Sequence, residues 1–107
     1  IKKVPRKNFI PKKKMNFLDF TQTVVDVSTN SVAISTRPTV VRGVYINTVL
    51  SAHTVVIKSG TTAIYTLPAS SAAGTYFEFG DTTFANGLVV DPNDSSTGNI
   101  TIEYKVL

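Results

Sequence analysis

Ile100-Thr101-Ile102-Glu103-Tyr104-Lys105-Val106 alternates apolar and polar side chains without a break. Successive side chains of an extended chain point to opposite faces. Ile100, Ile102, Tyr104 and Val106 therefore share one face, and Thr101, Glu103 and Lys105 the other. This is the pattern of an antiparallel strand with one face on a core.

Working back from it, further strands are expected at residues 23–27, 32–36, 40–50, 54–58, 63–67, 76–79 and 88–91, making eight with 100–106. Composition agrees, with 14 Val, 8 Ile and 15 Thr against five Leu. Stiff β-branched side chains suit a pleated surface better than a helix. The strands are separated by turn chemistry. Ser28-Thr29-Asn30-Ser31 is a polar cluster, and Ser59-Gly60 and Asn86-Gly87 each place a residue tolerant of positive φ between apolar runs, as hairpins require. Residues 68–74, rich in Ala and Ser between Pro68 and Gly74, are expected to form a flexible loop leading into the aromatic strand Tyr76-Phe77-Glu78-Phe79. No apolar stripe of helical period is long enough for a core helix. The fold class expected is all-β: a small antiparallel β-sandwich of immunoglobulin-like or jelly-roll type.

The first twenty residues read differently. Lys2, Lys3, Arg6, Lys7, Lys12, Lys13 and Lys14 are seven of the chain's eleven basic residues, and the first acid is Asp19. Setting those seven charges aside from the net +4 leaves residues 15–107 at −3. The chain divides into an extended basic N-terminal arm, residues 1–20, and a mildly acidic β-sandwich domain, residues 21–107. Pro5 and Pro11 favour extended backbone in the arm. Val4, Phe9, Ile10, Phe17, Leu18 and Phe20 set apolar groups between the charges, which a plain solvated tail lacks. The arm's docking residues are expected to be Lys2, Lys3, Arg6, Lys7, Phe9, Ile10, Lys12, Lys13, Lys14, Phe17 and Leu18.

Catalytic chemistry finds little to stand on. His53 is the single imidazole, with no carboxylate near it in sequence to make an acid–base pair, and Cys is absent. A zinc site of the usual ligand set cannot be assembled from one chain of this composition. Asp91-Pro92-Asn93-Asp94-Ser95 gathers oxygen ligands, but an EF-hand loop begun at Asp91 would need Gly where Ser96 stands and Glu where Ile102 stands. A turn held by Pro and Asx residues accounts for it instead. There is no Gly-x-Ser-x-Gly elbow and no phosphate-cradling glycine loop. The expectation is a non-enzyme without metal or other cofactor. No run nears the roughly 18 apolar residues of a membrane span, so a membrane partner is not expected.

Val41-Arg42-Gly43-Val44-Tyr45-Ile46-Asn47, Ser51-Ala52-His53-Thr54-Val55-Val56-Ile57-Lys58, Leu67-Pro68-Ala69-Ser70, Gly74-Thr75-Tyr76-Phe77-Glu78-Phe79-Gly80, Gly87-Leu88-Val89-Val90-Asp91 and Gly98-Asn99-Ile100-Thr101-Ile102-Glu103-Tyr104 together resemble the small β-sandwich proteins of tailed bacteriophages. The resemblance covers residues 40–106, not the arm, and carries no catalytic signature. It implies a structural part of a virion at the capsid surface, a capsid decoration or cement protein. The partner is then the major capsid protein or another virion protein, met by a homo-oligomer or by many copies on a lattice. Joined to the arm, it implies a basic strap laid on acidic coat-protein surfaces. Two alternatives stand beside it. One is a glycan-binding or adhesion module of a fibre or tail, with Tyr45, Tyr65, Tyr76 or Phe84 as stacking platforms. The other is a nucleic-acid-binding protein that uses the arm's cations on phosphates.

Overall fold

A computed structural model describes residues 19–107. The eleven expected docking residues, from Lys2 to Leu18, lie outside the described residues. The described residues form eight strands: β1 Thr21–Asp26, β2 Val32–Ser35, β3 Thr39–Thr48, β4 Val55–Ser59, β5 Thr62–Leu67, β6 Tyr76–Phe84, β7 Leu88–Pro92 and β8 Asn99–Val106. No α-helix occurs among the described residues. The eight strands match the eight read from the pattern, and β6 differs most, running on through Gly80-Asp81 to Phe84.

The strands form two four-stranded antiparallel sheets, in the orders β1-β8-β3-β6 and β2-β7-β4-β5. The pairs β1·β8, β2·β7, β3·β6 and β4·β5 are nested, as if one long hairpin had been wrapped into two layers. Only β4 and β5 are joined by a hairpin within one sheet, through Gly60-Thr61, where Gly60 has φ 61°. Asn86-Gly87 was expected to make a hairpin too. It instead lies in the crossing from β6, in the first sheet, to β7, in the second. Gly87 still needs its φ of 98°, and a Cβ there would overlap the Ser35 carbonyl oxygen.

Inward-facing positions fill one core: Val25, Val41, Val44, Ile46, Val55, Ile57, Leu67, Phe84, Leu88, Val90, Ile100 and Ile102, with Val27 and Leu50 from the connections. Ile100 and Ile102 are fully buried, as their period predicts. Val106, expected on the same face, is 40% exposed, and it lies beyond the start of β1, which begins at Thr21 opposite Tyr104. Residues 68–74 do not hang free. Leu50 N–H donates to Ser71 O at 3.0 Å, Ser70 N–H to Ser51 O at 2.9 Å and Gly74 N–H to Ile46 O at 2.7 Å, tying the segment across the end of the sandwich. Backbone pairing of this kind holds a loop that composition alone reads as loose.

Phe84 and Val24 make a test of this core. Phe84→Ala removes a ring 1% exposed and is expected to cost about 3–5 kcal/mol in urea unfolding. Val24→Ala, at a position 65% exposed, should change stability by no more than about 0.5 kcal/mol.

Candidate functional site

The outer face of the first sheet carries a polar and aromatic array. Tyr45 on β3 and Tyr76 on β6 are register partners, with ring centroids 4.4 Å apart. Gly43 makes this arrangement possible, since a Cβ there would overlap the Tyr76 hydroxyl. That hydroxyl lies 3.3 Å from Glu103 Oε1 and 3.4 Å from the Arg42 carbonyl. Burial, with the Glu103 and Glu78 carboxylates nearby, pushes the Tyr76 phenol up to about 12, so it remains a neutral donor at ordinary pH. Gln22 Nε2 donates to Glu103 Oε2 at 2.8 Å, and Asn47 Nδ2 to Thr101 Oγ1 at 2.6 Å.

Next to the tyrosines, β6 is kinked. Between the paired positions Val41↔Thr82 and Gly43↔Glu78, β3 sets Arg42 alone against Phe79, Gly80 and Asp81. Gly80 (φ 63°) and Asp81 (φ 56°) absorb the surplus in left-handed conformation, which is unfavourable for Asp81. Arg42 holds it there by a two-pronged contact, Nε to Oδ1 at 3.0 Å and Nη2 to Oδ2 at 3.3 Å. The guanidinium also lies 3.8 Å from the centre of the Phe20 ring. The ring of Phe20, the residue before β1, thereby packs on a side chain of β3, two strands away in the sheet.

A cleft of about 360 Å³ opens where the two sheets end at β5 and β6, lined by Ile64, Tyr65, Tyr76, Phe77, Glu78 and Phe79. Tyr65 sits 5.9 Å from both Phe77 and Phe79, centroid to centroid, and Phe79 lies 6.0 Å from Phe84. β5 and β6 are edge strands of different sheets, so among the described residues no further strand closes the interior on this side. Tyr65 is left 40% exposed, and Phe77 and Phe79 half-buried. The volume falls in the range of small-ligand sites. Of the expected stacking platforms, Tyr45, Tyr65 and Tyr76 are at the surface or its margin. Phe84 is not, because it belongs to the core.

The cleft was only half visible in the sequence. Tyr76-Phe77-Glu78-Phe79 announces an aromatic strand, but nothing local says that Tyr65 faces it from another sheet. His53 is exposed in the loop before β4. Asp91 is ion-paired to Lys58 Nζ at 2.6 Å, and Asn93 Oδ1 accepts from Ser95 N–H at 3.0 Å, the local bond of a turn. Among the described residues, no three His, Cys, Asp or Glu side chains gather into a metal-holding group. Compared with family models, curated proteins and solved structures, the chain matches none.

Arg42 holds the Asp81 carboxyl below the usual carboxylate range, chiefly by its hydrogen bond. A depressed folded-state value stabilises the fold above the unfolded carboxylate's titration, and that gain is lost as pH falls through the Asp81 value. Arg42→Gln is expected to return Asp81 to the ordinary range in a carboxyl-detected NMR titration. It should also lower the melting temperature at neutral pH, with the difference from wild type closing in acid.

Proposed function

We propose that this protein is a non-enzymatic structural component of a phage particle, a capsid decoration or cement protein. Its sandwich sits on the shell while its basic arm lies on acidic coat subunits. Within the sandwich, the nested order of the eight strands favours the jelly-roll alternative over the immunoglobulin-like one. The observation that carries the functional reading is the division of labour along the chain. The buried cluster of described residues runs from Val25 to Ile102 and supplies the body with a core of its own. The seven cations and all the apolar groups of residues 1–20 precede it. Two of the body's four cations, Arg42 and Lys58, are paired with Asp81 and Asp91. That leaves the body Arg37 and Lys105 against the arm's seven cations, so attachment to an acidic partner falls to the arm. Repeated sites on a lattice then raise avidity without a tight single contact.

A glycan-binding reading has one observation in its favour. Tyr45, 42% exposed and backed by Tyr76, stands among the amide and carboxylate groups of Asn47, Gln22 and Glu103, a flat aromatic platform with hydrogen-bonding groups beside it. Retention on a glycan array that Tyr45→Ala abolishes would favour it over the structural role.

Deleting residues 1–14 is expected to leave cooperative unfolding in place and to abolish co-sedimentation with native particles. Within the arm, Phe9→Ser with Ile10→Ser should weaken attachment more than replacing two lysines by Gln. Exposed ion pairs are worth about 0–1 kcal/mol each, whereas apolar burial adds about 25 cal/mol per Å² that salt does not screen. A log–log salt slope near −6, which seven phosphate contacts would give, or displacement by free DNA, would transfer the protein to the nucleic-acid class.

A further inference from the structure

Asn86-Gly87 is a reactive pair as well as a turn signal. In an Asn-Gly step the backbone nitrogen of Gly can attack the Asn side-chain amide with no neighbouring side chain in the way. Every other Asn of this chain is followed by a residue that has a side chain. In the reaction the Gly87 nitrogen bonds to Asn86 Cγ, and ammonia leaves, taking the Gly87 amide proton. Water then opens the resulting succinimide at one carbonyl or the other, giving aspartate or isoaspartate.

The fold holds the pair in a conformation that does not react. Gly87 N–H donates to Phe84 O at 3.2 Å and closes a turn over Ala85 and Asn86. Neither corner residue has positive φ, and a hydrogen-bonded turn of that kind is type I. Its third residue, Asn86, has ψ near 0°, whereas ring closure needs the Gly87 nitrogen rotated until it eclipses Cβ. The turn is also tied to the β4–β5 hairpin. Asn86 N–H donates to Ser59 Oγ at 3.1 Å, and Gly60 N–H donates to Gly87 O at 3.3 Å. Rotation about ψ of Asn86 would swing the Gly87 N–H off Phe84 and the Gly87 carbonyl off Gly60. Gly87 is buried against the Ser35 carbonyl and has no room to follow.

We propose that Asn86 is a latent deamidation site, shut in the folded chain by Ser59 and Gly60 and opened when the β6–β7 crossing detaches from the β4–β5 hairpin. Isoaspartate would then make a reversible opening permanent. It routes the backbone through the residue-86 Cβ, which already packs so close to Gly60 that a Cβ added there would stand 2.8 Å away. The crossing lies between Phe84 and Leu88, both fully in the core, so a copy that cannot re-dock it stays loosened.

The test incubates the full chain at mildly alkaline pH, folded in buffer and unfolded in concentrated urea. Conversion at residue 86 is followed by peptide mass spectrometry, with aspartate and isoaspartate separated by chromatography. The folded chain is expected to convert about a hundredfold more slowly, the protection given by a local opening that costs less than global unfolding. Ser59→Ala removes the bond to Asn86 N–H and should raise the folded-state rate about fivefold. Val25→Ala truncates the core on β1, the edge opposite β6, and should leave that rate unchanged. Purified isoaspartate protein should melt below Asn86→Asp, which gains the same charge without the extra backbone carbon. Where Ser59→Ala does not fold, amide exchange of the wild type gives the same reading. The Gly60, Asn86 and Gly87 amides should exchange together and well before those of Val44 and Ile102. Equal rates in folded and unfolded chains, acceleration by Val25→Ala as great as by Ser59→Ala, exchange of the turn only together with the core, or an isoaspartate form as stable as Asn86→Asp would each overturn the proposal.

Discussion

Pairing of β8 with both β1 and β3 is the contact on which the other layers rest. Ile100 and Ile102 reach Val25, Val44 and Ile46 through the ladder register or its neighbours, and the same side chains form the floor against which the second sheet is laid. A one-residue slip of β8 would turn both isoleucines to solvent and bring Thr101 and Glu103 into the core, which is why alternation specifies register so strongly. With β8 in place, β3 is positioned to carry Arg42, Gly43 and Tyr45 outward, and β6 is positioned by β3.

The candidate surfaces are consequences of how this sandwich closes. β8 and β3 have neighbours on both sides, whereas among the described residues β6 ends the first sheet and β5 the second, as β1 and β2 do at the opposite edges. An edge strand is commonly guarded by charge or irregularity. β6 has both, in Glu78, Asp81 and the left-handed pair Gly80-Asp81, whereas Thr62–Leu67 carries no charge at all. The result is an aromatic cleft with an acidic lip. Backbone strain at Asp81 is tolerated because Arg42 bonds its carboxylate twice, and the same guanidinium supports Phe20. One side chain thus joins the kink of β6 to the root of the arm.

Electrostatics assign the two parts of the chain different work. In the role proposed above, the arm's charges act over a distance of about a Debye length, roughly 8–10 Å, and serve encounter and orientation. In that role its apolar groups act only on contact and supply the salt-resistant share of binding. The body contributes an acidic surface whose carboxylates are partly neutralised in pairs, Arg42–Asp81 and Lys58–Asp91; among the others, Glu78 stands at the cleft and Glu103 beside Tyr76.

Local patterning determined a large part of this protein. The number and places of the strands, the burial of Ile100 and Ile102 and the hairpin at Gly60 all follow from period-2 alternation, β-branched composition and turn residues, because these act over a few neighbouring positions. The division into a basic arm and an acidic body is likewise a matter of charge order along the chain. The tertiary structure decided the rest. Asn86-Gly87 shows a turn to be present without showing whether it joins partners in one sheet or crosses to the other, because positive φ is a local demand and strand pairing is not. Phe84 reads as one aromatic among several, yet it is core because β6 extends past its kink to carry it inward. Tyr65 and Phe77, far apart in sequence, meet only because β5 and β6 end two different sheets. A cleft is a property of how layers are stacked, and stacking depends on the summed burial of many side chains, a quantity no single stretch of sequence contains.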